Sequence, residues 1–75
     1  MDKKELAQKI LEELTGAPDQ PVNDITVDVD AITIYSPYGV VVVMPGEVGW
    51  RCEISGYDTE VPLSAYGHIV DLMAS

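Results

Sequence analysis

The amino-acid sequence predicts an α+β fold with an N-terminal helix, an antiparallel meander of three to four strands and a C-terminal helix. Three observations lead to this prediction. Apolar residues recur at helical spacing near both ends, alternate with polar residues in between, and are interrupted there by turn-forming residues. Because the chain has 75 residues, we expect a single domain over residues 1–75.

The first predicted element is an amphipathic helix over residues 2–14. Asp2 is placed to cap its start, with Glu5 three residues later, as in a capping box. Gly16 then offers the left-handed residue with which many helices end. The residues that form the apolar stripe, at three- and four-residue spacing, are Leu6, Ala7, Ile10, Leu11 and Leu14.

The segment DITVDVDAITI, residues 24–34, raises the central question of the sequence. Apolar and polar residues alternate up to Asp30, and after Ala31 the apolar positions change parity. A β-bulge produces such a change. The alternative is a tight turn at Val29-Asp30, which lacks the glycine that two-residue hairpin turns prefer. We therefore predict one long, bent strand whose inward side chains are Ile25, Val27 and Val29 and whose outward carboxylates are Asp24, Asp28 and Asp30.

A hairpin is predicted next, because Ser36-Pro37-Tyr38-Gly39 matches a type I turn position by position. The returning strand, residues 40–44, contains four consecutive valines, and such a composition is typical of a strand covered on both faces. Either the two helices therefore lie on opposite faces of the sheet, or one face meets another subunit. A homodimer is thus one of the alternatives.

The rest of the chain predicts one further strand, an edge segment and a helix for which Ser64 is a suitable N-cap. The predicted segments are a break at Pro45-Gly46, a strand over 50–55, a turn over 56–59, an extended edge segment over 60–63 and a helix over 64–74. The inward side chains of the strand are expected to be Trp50, Cys52 and Ile54.

Charge is the outlying property of the composition, with 13 acids, four Lys or Arg and a net charge of −9. Three of the bases lie in the first helix, and from residue 10 onward eleven acids accompany Arg51 alone. Such a surface repels nucleic acid and anionic membranes and attracts basic partners. We therefore expect no direct binding to nucleic acid or to membranes. The simpler alternative is that the acids keep a small protein dissolved.

Catalytic and metal-binding constellations are poorly supported. Cys52 is predicted to be inward and therefore an inert thiol, and His68 lies on the final helix. Zinc would require more Cys or His ligands than the chain has, and the calcium-loop spacing is absent around Asp24. Glu53 is expected to pair with Arg51. We thus predict no enzyme activity, no cofactor and no metal, and the single cysteine with no signal-peptide pattern favours the cytoplasm.

The aspartates of residues 24–30 suggest a use for the charge. Alternate residues on a strand lie ~6.6–6.8 Å apart, comparable to successive phosphates along a nucleic-acid strand. Tyrosines in the predicted turns are interface anchors or, equally well, cover one end of the core. The predicted partner-binding residues are Asp24, Asp28, Asp30, Tyr38, Glu47, Tyr57, Asp58 and Glu60.

The functional hypothesis is a non-enzymatic inhibitor or regulator that mimics nucleic acid and occupies a basic surface of a partner protein. Small acidic proteins with which phages oppose bacterial defences share this size and charge, so CRISPR effectors are the first target class by analogy. One alternative is a dimeric structural subunit that binds through the apolar sheet face of residues 40–43. Another is a regulator that binds a divalent cation at Asp24, Asp28 and Asp30.

Overall fold

The computed structural model describes residues 2–75. It shows a five-stranded antiparallel sheet, preceded along the chain by one helix and followed by another. The elements are α1 (Lys3–Thr15), β1 (Asp24–Val27), β2 (Ile32–Ser36), β3 (Gly39–Gly46), β4 (Gly49–Ile54), β5 (Tyr57–Glu60), a 3-10 turn (Leu63–Ala65) and α2 (Tyr66–Ala74). Strand order in the sheet follows the sequence, from β1 to β5. The predicted α+β meander is confirmed, with five strands instead of three or four.

Helix α1 begins and ends where the sequence predicts. The Asp2 carboxylate accepts a hydrogen bond from the Glu5 backbone N–H at 3.0 Å, which satisfies one of the free donors at the helix start. Gly16 follows the helix with φ of 73°, and its N–H donates to the Glu12 carbonyl. Of the predicted apolar stripe, all members except the half-buried Leu14 are buried.

The long bent strand predicted over residues 24–34 is wrong, because a turn over residues 28–31 divides it into β1 and β2. The Asp28 N–H donates to the Ala31 carbonyl at 2.8 Å across this turn. Ile25 lies opposite Ile34 in the antiparallel register. An even-numbered position thus pairs with an odd-numbered one, so reversal of the chain explains the change of parity. None of the turn residues has a positive φ, and the turn therefore needs no glycine.

The valines of β3 alternate between two environments. Val41 and Val43 are buried, whereas Val40 is 47% exposed and Val42 is half-buried. Both helices contribute to the same core cluster as the buried side chains of β2, β3 and β4, and the helices contact each other. The first alternative, helices on opposite faces of the sheet, is therefore wrong: within residues 2–75 both helices lie on one face, and the other face is open. Cover of that face by another subunit stays a prediction.

Strand β3 continues through Pro45-Gly46, where a break was predicted. Pro45 lies opposite Trp50. The Trp50 N–H donates to the Tyr66 hydroxyl at 3.2 Å, and its carbonyl accepts from the Val61 N–H at 2.9 Å. Trp50 therefore directs its backbone groups away from β3, and this pair does not require the N–H that proline lacks.

The last hairpin turns earlier than predicted. Ser55 and Gly56 have φ of 51° and 85°, and positive values at both loop residues are typical of type I′ hairpin turns. Strand β5 therefore begins at Tyr57, which lies in a strand and not in a turn. Ser64 is not the N-cap of the final helix, since it lies within the 3-10 turn and its hydroxyl donates to the Glu13 carboxylate at 2.6 Å.

Candidate functional site

The face of the sheet that points away from the helices, here called the outer face, is the candidate site. Side chains alternate along each strand, so the positions between the buried ones share this face. Cross-strand register brings them together in rows. The residues of the outer face are Asp24, Thr26, Thr33, Tyr35, Val40, Val42, Met44, Arg51, Glu53, Asp58 and Glu60.

An apolar strip, consisting of Tyr35, Val40, Val42 and Met44, occupies the middle of the outer face. Tyr35 lies opposite Val40, and these two side chains are 40% and 47% exposed. The other two are half-buried by their neighbours on the same face. Three of its members lie on β3, the third of five strands, so the strip is central in the sheet.

Carboxylates border the strip on the side of β4 and β5. Glu53 lies directly opposite Asp58, and both are exposed. Like charges in directly opposite positions destabilise a strand pair. Arg51 lies opposite Glu60 and compensates part of this charge. From the sequence, Glu53 is expected to pair with Arg51, and its place opposite Asp58 is not foreseen. That place follows only when the turn is set at Ser55-Gly56.

An acidic concavity of about 410 Å³ extends this border toward the β3–β4 turn. Its lining residues are Glu47, Val48, Arg51, Asp58 and Glu60. Three of the eight predicted partner-binding residues are thus brought together here, at Glu47, Asp58 and Glu60. On the opposite side of the strip, Asp24 lies at the start of the edge strand β1.

The predicted row of aspartates on one strand is not formed. Asp24 belongs to β1, and its carboxylate accepts a hydrogen bond from the Ile25 N–H at 2.8 Å. Asp28 and Asp30 are exposed in the β1–β2 turn. Alternate turns of a meander lie at the same end of the sheet, so these two residues share an end with Glu47 of the β3–β4 turn.

Two valines accompany those acids at the tips of their turns. Val29 is 95% exposed between Asp28 and Asp30, and Val48 is 88% exposed beside Glu47. Val29 was expected to point inward with Ile25. Neither valine contributes to the core, and valine is not a residue that turns prefer.

The tyrosines lie at the other end of the sheet. Tyr38, in the β2–β3 turn as predicted, is 80% exposed, and Tyr57 is 79% exposed at the start of β5. Near Tyr38, the side chains of Leu11, Val41 and Ile54 line a groove of about 80 Å³. The structure therefore separates the predicted partner-binding residues into an acidic end, a tyrosine end and the outer face between them.

The remaining reactive groups lie apart from the outer face. Cys52 is completely buried, and burial raises the pKa of its thiol; Asp58 adds to this effect and Arg51 opposes it. The thiol is thus protonated at neutral pH. Within residues 2–75, no three His, Cys, Asp or Glu side chains are grouped so as to hold a metal ion. Neither helix of these residues has the length and apolar content to cross a bilayer.

Comparison with known proteins assigns no family. No protein-family model matches the sequence, and neither a curated protein nor a solved structure is significantly similar to the chain. The chemistry of the outer face is therefore the basis on which a function can be proposed.

Proposed function

We propose that this chain is a non-enzymatic inhibitor or regulator that acts in the cytoplasm by occupying a basic, nucleic-acid-binding surface of another protein. The observation that supports it best is the position of Glu53 directly opposite Asp58 on exposed strands. Threonine at either position would serve the strand pair better and would avoid the repulsion. Glu53 and Asp58 repel each other in the folded chain, but both can form ion pairs with lysine or arginine side chains of a partner.

The spacing of carboxylates on β5 favours a surface that evolved for a phosphate backbone. Asp58 and Glu60 lie on the same face two residues apart, which corresponds to ~6.6–6.8 Å along a strand. This is the spacing that the sequence predicts for Asp28 and Asp30. Because the strand already fixes the backbone at these positions, binding a groove of lysine and arginine orders little additional backbone.

The test is capture of a basic protein and its competition with nucleic acid. The chain is immobilised and incubated with purified CRISPR effector–guide complexes and with the heparin-retained proteins of a bacterial lysate. We expect a bound protein that competing DNA or RNA displaces and that salt releases between about 50 and 500 mM NaCl, where screening becomes strong.

Two variants distinguish the outer face from general acidity. Asp58→Asn combined with Glu60→Gln should weaken capture, whereas Asp71→Asn, an exposed acid on α2, should not. A captured protein that remains bound at high salt and ignores nucleic acid would contradict the proposal.

The apolar strip supports a second candidate, a structural subunit that assembles through its sheet face. Val40 and Tyr35 expose apolar surface that a partner subunit could cover. Assembly of this kind should persist at high ionic strength, because apolar contacts are not screened by salt. Persistence above about 500 mM NaCl therefore favours this candidate over the first.

A further inference from the structure

We propose that the outer face is a docking surface for an amphipathic, basic helix of the partner protein. This inference rests on the proposed function and specifies the structural element that the chain recognises. The helix lies along the apolar strip with its own apolar side chains on Val40, Val42 and Met44. Its lysine or arginine side chains extend to both sides.

The outer face of the sheet can be covered by a helix. The inner face of the sheet is covered by α1 and α2, whereas no element of residues 2–75 covers the outer face. Helices are among the elements that cover a sheet face in layered folds. The strip from Val40 to Met44 is about 14 Å long, which corresponds to roughly nine residues of helix, or two to three turns.

The charges around the strip select a basic helix over a neutral or acidic one. Glu53 and Arg51 lie one strand from the strip, at about 5 Å. Asp58 and Glu60 lie two strands away, at about 10 Å, so acids outnumber the single base on this side. On the other side, Asp24 lies opposite Tyr35 and about 10 Å from Val40. A helix is about 10–12 Å wide with its side chains. Lysine and arginine at the edges of its apolar stripe can therefore reach the carboxylates on both sides.

The same charges argue against a second copy of this chain as the occupant. Each copy has a net charge of −9. A face-to-face dimer would gather the acidic outer faces of both copies at one interface, where water is partly excluded and screening is weaker. The carboxylates of the outer face attract a basic helix, whereas they repel a second copy of the chain.

A synthetic peptide serves as the probe. It has about 14 residues, consists of leucine and lysine with the leucines on one helical face, and has a fluorescent label. A control peptide of the same composition distributes the leucines around the helix. Binding is measured by fluorescence anisotropy at about 100 mM NaCl. We expect the first peptide to bind at least about tenfold more tightly than the control, since only it presents an apolar stripe to the strip.

Threonine substitutions test the strip itself. Val40→Thr combined with Val42→Thr keeps the β-branched shape and removes a methyl group from each contact, so we expect about tenfold weaker binding of the first peptide. Val70→Thr is the matched control, because Val70 is 56% exposed on α2 and lies away from the outer face. Equal melting temperatures of the variants and the unchanged chain show that the fold is retained.

Four results would overturn the inference: no binding of the first peptide, equal binding of both peptides, binding that the double threonine variant does not weaken, or a dimer of the chain that this variant abolishes. Equal binding of both peptides leaves the proposed function standing, because charge alone would then explain recognition. Failure of nucleic-acid-sensitive capture, with peptide binding intact, removes instead the proposed nucleic-acid-binding target.

Discussion

Gly49 lies at the point where the β3–β4 turn meets α2. It has φ of 96°, and a Cβ atom at this position would overlap the Tyr66 hydroxyl. That hydroxyl accepts a hydrogen bond from the Trp50 N–H. The absence of a Cβ atom at Gly49 thus has two effects. It permits the positive φ of the turn, and it lets the Tyr66 side chain of α2 approach the sheet closely.

Substitution at this glycine should be costly. Gly49→Ala combines an unfavourable positive φ with loss of the Trp50–Tyr66 hydrogen bond, so we expect a loss of about 2–3 kcal/mol in the free energy of unfolding, measured by urea denaturation. Gly56→Ala, at φ of 85° with open space around it, isolates the backbone contribution and should cost about 1–2 kcal/mol. Equal losses at the two positions would contradict the proposed contact.

Cys52 should make stability fall at alkaline pH. Burial raises the pKa of its thiol above the ordinary value of 9.0, so the unfolded chain loses this proton at lower pH than the folded one. The contribution of the thiol to stability is complete below pH 9.0 and decreases as pH rises from there toward the folded-state pKa. Urea titrations between about pH 8 and 10 should show a smaller pH dependence for Cys52→Ala, whatever its absolute stability.

At the scale of elements, the β4–β5 strand pair allows a direct test of whether Glu53 and Asp58 repel each other. Glu53→Gln and Asp58→Asn each remove one member of the opposed like-charge pair, so each should raise the free energy of unfolding by roughly 0.2–1 kcal/mol, the range of cross-strand pair energies. Asp71→Asn, on α2, is the control for lowering the total charge. A loss of stability in both strand variants would show that these carboxylates stabilise the sheet, which would remove the main support for the proposed function.

The elements were predictable where local signals agree. Helix α1 follows from its apolar spacing, its Asp2 cap and Gly16, and the Ser36–Gly39 pairing follows from the turn residues between the strands. The β1–β2 turn was not predictable from glycine, because residues 28–31 all keep negative φ. The four valines of β3 suggested burial on both faces, since composition alone does not distinguish a covered face from an open one.

The candidate site was predicted in part. The exposure of the acids and of Tyr38 follows from charge and turn position. Which acids lie near one another depends on strand register, and one misplaced turn was enough to alter it. Asp28 and Asp30 therefore lie in a turn and not in the predicted row of strand carboxylates. Asp58 and Glu60, two residues apart on β5, have the spacing that was predicted for Asp28 and Asp30.

At the scale of the whole molecule, self-repulsion should make stability depend on salt. The net charge of −9 is confined to a body of 29 × 27 × 20 Å. The screening length is ~10 Å at 0.1 M ionic strength and ~30 Å at 0.01 M, so most carboxylates interact at low salt and few do so at moderate salt. We expect the melting temperature to rise between about 10 and 200 mM NaCl and then to level off.

Calorimetry at several NaCl concentrations measures this effect. Potassium chloride should give the same curve if screening is the cause, because screening depends on ionic strength and not on the identity of the cation. A difference between calcium and sodium chlorides at equal ionic strength would instead support the alternative of a divalent-cation regulator.

The meander order of the sheet has a consequence for how quickly the native state is reached. Each strand pairs with its neighbour in the chain, across connections of only two to four residues. The entropy lost when such short loops close is small, and folding is faster when native contacts join near neighbours in the chain. The docking of α2 and of the preceding 3-10 turn onto α1 joins distant parts of the chain. Stopped-flow fluorescence of Trp50 should accordingly record rapid refolding, with the two-helix layer assembled last.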